Sequence, residues 1–87
     1  MATVTEILAA SQGSFVVNDT DEETRSFDGI LVLEDTVFAS IKQGGVDIKA
    51  NLISTPASAV KTGAFIRPAS GSFSGIQLTS GSVALVL

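Results

Sequence analysis

The sequence predicts an all-β domain: a small antiparallel β-sandwich or barrel of seven to nine short strands. Three observations predict it. Turn signals recur every eight to twelve residues and cut the apolar stretches short. Two glycine sites, Ser80 with Gly81 and Gly44 with Gly45, separate stretches that match each other as hairpin arms. The run Ile30, Leu31, Val32, Leu33 is apolar on both strand faces, as expected for a strand covered on both sides.

The elements follow in order. Residues 2–10 carry Val4, Ile7 and Leu8 at the spacing of a helical turn, but Thr3, Val4 and Thr5 are β-branched and favour extended backbone, so a strand or extended arm is expected. Gly13 precedes a short strand, Ser14–Val17. Residues 18–25 are polar and acidic and read as a solvated loop. Residues 26–34 read as one strand, with Glu34 and Asp35 as punctuation. In 36–42 the residues Val37, Ala39 and Ile41 alternate with Thr36, Ser40 and Lys42, and Phe38 breaks the pattern on the polar side. A turn at Gly44 and Gly45 then sets Lys42 opposite Asp47, Ile41 opposite Ile48, Ala39 opposite Ala50 and Val37 opposite Leu52.

Pro56 marks a loop over 54–58, because proline cannot donate to a central ladder. Ala59 and Val60 form a brief strand, 61–63 a turn, and 64–67 another strand. Residues 68–71 lead into a last hairpin with arms 74–79 and 82–87. Its register pairs Leu78 with Val83 and Ile76 with Leu85 in one apolar patch. The opposite face carries Gln77 and Thr79, but also Ala84 and Val86. The chain stays apolar through Leu87, so that arm is expected to be packed rather than frayed. Residues 1–25 thus read as an arm and acidic loop, and 26–87 as the sandwich core of a single domain.

Composition narrows the function. The 87 residues contain no cysteine, histidine, tryptophan or tyrosine, which removes thiolate and imidazole metal ligands and the commonest acid–base group. Nine acidic and five basic residues leave a net charge of −4, which argues against a nucleic-acid partner, since phosphates call for a positive face. No apolar run reaches membrane-spanning length, and 1–11 lacks the basic leader of a signal peptide. Yet 45% of residues are hydrophobic and the mean hydropathy is +0.45. In so small a chain without staples, some of that surface is expected to be covered by another copy.

The candidate chemical sites are thin. Asp19, Asp21 and Glu23 alternate as in a calcium loop, but Thr24 stands where that loop needs glycine and Ile30 where it needs the bidentate glutamate. Glu34 and Asp35 are strand neighbours and would point to opposite faces. Ser40 and Lys49 would be cross-strand neighbours, without an oxyanion-hole signature. Phe15, Phe27, Phe38, Phe65 and Phe73 read as packing residues rather than a ligand cage. No catalytic residue, cofactor or metal is expected. The expected interface residues are Phe38, on the polar side of its strand, with Ile30, Val32, Val86 and Leu87.

Two stretches carry a family resemblance. The run Val32, Leu33, Glu34, Asp35, Thr36, Val37, Phe38 is followed by Gly63 and Ile66 and then by Ile76, Leu78, Ser80, Gly81 and Val83. From Phe27 onward the chain resembles small virion structural proteins of tailed bacteriophages, whose last strand often ends on an aromatic residue where this chain has Leu87. The resemblance implies a structural, non-enzymatic role in the virion, made in the host cytoplasm, with the homotrimer as the usual assembly. A capsid decoration (cement) protein bound to the major capsid protein is the leading expectation, with residues 1–12 as a clamping arm. A tail, fibre or spike-base module for host attachment is the alternative.

Overall fold

The computed structural model describes residues 13–87. They form eight strands and a single-turn helix: β1 (Ser14–Val17), β2 (Glu23–Phe27), β3 (Gly29–Val32), β4 (Val37–Gln43), β5 (Val46–Asp47), α1 (Lys49–Leu52), β6 (Phe65–Ile66), β7 (Phe73–Ser80) and β8 (Val83–Val86). The strands make two four-stranded antiparallel sheets with orders β1-β8-β3-β6 and β2-β7-β4-β5. Only β4 and β5 are consecutive in one sheet; every other step along the chain crosses to the opposite sheet. That strand order is the eight-stranded jelly roll, a sandwich and not a closed barrel.

Alternation delivers the core. The first sheet contributes Val17, Ile30, Val32, Val83 and Leu85, and the second Phe27, Phe38, Ile41, Phe73, Ile76 and Leu78. Phe27 and Phe73 face each other across β2 and β7, with ring centroids 5.3 Å apart and planes tilted by 44°. Such a pair adds about 1 kcal/mol to what the two buried rings gain by leaving water. Along one open side, Arg25 bridges the sheets: its guanidinium carbon lies 3.8 Å from the Phe15 ring centroid, and its Nε donates to Glu23 at 2.9 Å.

Several local expectations are corrected. Ser80, Gly81 and Ser82 do not close a hairpin; they carry the chain from β7 in one sheet to β8 in the other. Leu78, Ile76, Val83 and Leu85 do share one apolar interior, but across the sandwich rather than side by side. Residues 26–34 are not one strand. The chain turns a corner at Asp28, whose amide donates to the Val86 carbonyl at 2.6 Å, so Phe27 and Ile30 enter the core from opposite sheets. The loop expected over 18–25 ends early, because Glu23, Thr24 and Arg25 belong to β2. The division at residue 25 accordingly falls inside a strand, and β1 and β2 are integral to the sandwich. The arm expected over 2–10 lies outside the described residues.

In β4 the residue that breaks the alternation is explained by a bulge. Phe38 lies opposite Leu78 and Ser40 opposite Gln77, so β4 spends two residues where β7 spends one, with Ala39 as the extra residue. The bulge flips the phase and places both Phe38 and Ile41 in the core. The Gly44 and Gly45 turn stands as expected: both have positive φ, +61° and +81°, as a two-residue hairpin turn requires, and Lys42 faces Asp47. The ladder then stops. Asp47 Oδ1 accepts the Ile41 amide at 3.2 Å and the Lys49 amide at 3.0 Å, which draws the chain into α1, so the pairs Ala39 with Ala50 and Val37 with Leu52 do not form. Ala59 and Val60 reduce to a single bridge between Val60 and Thr36, and the strand expected over 64–67 is β6.

Candidate functional site

The loops 33–36, 61–64 and 81–82 converge at one end of the sandwich. Asp35 accepts from the Thr62 amide at 2.9 Å, the Thr62 hydroxyl at 3.1 Å and Lys61 at 3.4 Å. These hydrogen bonds, the Thr62 amide foremost, hold the Asp35 carboxyl below its ordinary pKa. Beside it Thr36 is fully buried, with its amide donating to Val60 and its hydroxyl to the Glu34 carbonyl at 2.7 Å. Glu34 and Asp35 therefore act as tethers of a crossover, not as a pair converging on a substrate. At the opposite end Ser72 donates to Asp28 at 2.7 Å and Gln43 to the Ser70 carbonyl at 2.7 Å, binding the other loops together.

The remaining candidates are dispersed. Asp21 donates its amide to Asp19, Glu22 pairs with Lys42 at 2.6 Å and Glu23 with Arg25, so the acidic residues have local partners. Among the described residues no three acidic side chains converge as a metal cage. The Lys49 ammonium is held by the Ala39 carbonyl at 2.7 Å and by Asp47 at 3.1 Å. Ser40 Oγ is buried with no hydrogen-bond partner, so the proposed cross-strand pair of serine and lysine is not assembled. Asp47 is moved both ways: burial raises its pKa, but the amides of Lys49 and Ile41 and the Lys49 ammonium outweigh this and leave it lowered.

The expected interface residues are also relocated. Phe38, Ile30 and Val32 are 2% exposed or less and belong to the chain's own core, so they have no side-chain surface to offer another chain. Val86 is buried, and Leu87 packs partly buried against the core. Among the described residues the large apolar side chains most exposed to solvent are Val16, Leu33 and Val46, at 50%, 42% and 63% exposure. The sequence signal for them was weak, since a single valine or leucine in a strand looks the same whether it faces in or out.

One asymmetry stands out. The outer face of the β1-β8-β3-β6 sheet presents Ser14, Val16, Ala84, Val86, Gly29, Leu31 and Phe65, without a charge. A Cβ at Gly29 would come 2.7 Å from the Phe65 ring, so that ring lies across the glycine. Every residue of β3 and β8 is buried, the outward ones included. The outer face of the other sheet is polar, with Lys42, Ser40, Gln77 and Thr24. No family model, curated protein or solved structure matches the chain.

Proposed function

We propose that the protein is a structural component of a phage virion, a capsid decoration protein whose work is adhesion rather than catalysis. The observation that carries this reading is the charge-free apolar outer face of one sheet set against a polar outer face on the other. A free-standing sandwich keeps its outer faces polar; an apolar one belongs under a second layer of protein. Leu31, Ala84 and Val86 on that face are already out of water, so a partner laid over it covers chiefly the half-exposed Val16 and the partly buried Phe65, at about 25 cal/mol per Å² of apolar area. The jelly-roll order supports the reading as an analogy, since this architecture recurs in viral capsid proteins and also in lectins.

A second reading follows from the loop cluster that Asp35 ties together. Loops gathered at one end of a rigid sandwich are a recognition surface, as a tail or spike-base module for host attachment would need. Gold labelling of the protein on intact virions separates the two. Label over the whole head supports decoration, label at one vertex or on the tail supports attachment, and absence from virions overturns both.

A further inference from the structure

Among the described residues the first sheet has one unprotected edge, at Ser14 and Val16 of β1, and its geometry is self-complementary. Among the described residues β1 pairs with β8 alone. The Leu87 amide donates to the Gly13 carbonyl at 3.0 Å, which fixes the phase of that ladder. Hydrogen-bonded pairs alternate in an antiparallel ladder, so Phe15 with Leu85 and Val17 with Val83 exchange bonds. Ser14 and Val16 therefore aim their N–H and C=O groups away from β8, along the open edge. The strand Ser14–Val17 has no charge and no proline, and Val16 is half exposed.

The other three edges are guarded. β2 carries Glu23 and Arg25 and a register shift, and β5 and β6 are two residues each. Short, charged or bulged edges resist pairing with another chain; β1 has none of these defences.

We propose that two copies of this chain pair antiparallel through β1, with Ser14 of each copy hydrogen-bonded to Val16 of the other. A two-fold axis then runs beside Phe15, which meets its own copy as a non-hydrogen-bonded neighbour. Each pair of Ser14 with Val16 exchanges two main-chain bonds, so the axis generates four from one strand. The two sheets join into one of eight strands, β6-β3-β8-β1 running into its symmetry mate. Arg25 rests on Phe15 and is paired within its own copy with Glu23, so these two groups add no net charge beside the axis. A heterologous ring is disfavoured, because β1 would have to meet one of the guarded edges. The inference rests on the reading of the protein as an adhesive structural component and on the self-association expected from its composition, with a two-fold pair in place of the homotrimer.

Sedimentation equilibrium of the chain, Val16→Pro and Val16→Lys tests it, together with amide hydrogen exchange at low and high concentration. Proline at position 16 removes an N–H that β8 does not use. The expected result is a mass rising with concentration toward twice the 8.9 kDa of one chain. Both variants stay at the single-chain mass with the melting temperature held, and the Ser14 and Val16 amides slow their exchange as concentration rises. A single-chain mass up to about 1 mM overturns both the pairing and the self-association. Assembly into three or more copies keeps the self-association and overturns the pairing. A two-copy mass with fast exchange at Ser14 and Val16 also overturns it, and that readout decides even where a variant fails to fold.

Discussion

Gly81 lies against Thr36 with no room for a side chain between them. A Cβ at Gly81 would stand 2.7 Å from both the Thr36 Cα and the Asp35 carbonyl oxygen. Gly81 also has φ +95°, where an L side chain is strained. The two crossovers, β3 to β4 and β7 to β8, are pinched together at this point. Gly81→Ala is expected to cost about 3 kcal/mol, the sum of backbone strain and displacement of a buried threonine. A thermal melt reads this as a fall of more than about 10 °C; a fall of under about 3 °C would show that the crossovers separate freely.

Phe38 is a core residue, so its loss should be felt in folding. Phe38→Ala is expected to destabilise the chain by about 3–4 kcal/mol in urea unfolding, as removal of a buried ring does. Val16→Ser, by contrast, should stay within about 0.5 kcal/mol, because half of that side chain is already in water.

Ser40 carries a buried hydroxyl without a partner. Deleting it removes a desolvated group and no bond. Ser40→Ala is expected to leave stability unchanged or raise it by up to about 1 kcal/mol. A loss of more than about 1 kcal/mol would mean that the hydroxyl is bonded in solution.

Asp47 makes stability depend on pH. Its folded pKa lies below the unfolded value, so the charged form is favoured by folding and the stabilisation is complete above the unfolded carboxylate pKa. It is lost as pH falls through the folded value. Urea midpoints should therefore drop on acidification below about pH 5, and the drop should be smaller in Asp47→Asn. At pH 7 that substitution should cost about 1 kcal/mol, since it weakens the acceptance of the Ile41 and Lys49 amides.

The strands were more legible in the sequence than the way they connect. β1, the Gly44 and Gly45 turn and the fully buried β3 follow from local pattern, because alternation and glycine placement are properties of a few neighbouring residues. The crossing at Gly81 was hidden, since a positive-φ glycine reverses the chain equally well within a sheet or between sheets. Ile76, Leu78, Val83 and Leu85 would share a side in either case, so the pattern could not discriminate. Phe38 was misplaced because a one-residue bulge at Ala39 changes which face a residue takes, and no residue type announces a bulge. The proposed contact surface was half visible: Ala84 and Val86 gave β8 two apolar faces, both of them buried, while the edge of β1 depends on strand order, which only long-range pairing decides.

The position of β8 between β1 and β3 has a consequence for biogenesis. Neither neighbour has a lateral partner for its full length until residues 83–86 are available, so a nascent polypeptide still lacking them cannot assemble this layer. The layer therefore forms with the slow kinetics of distant pairings, in the range of about milliseconds to seconds. During that wait Ile30, Leu31 and Val32 are uncovered, which makes dilution and prompt release the conditions under which the polypeptide avoids clumping.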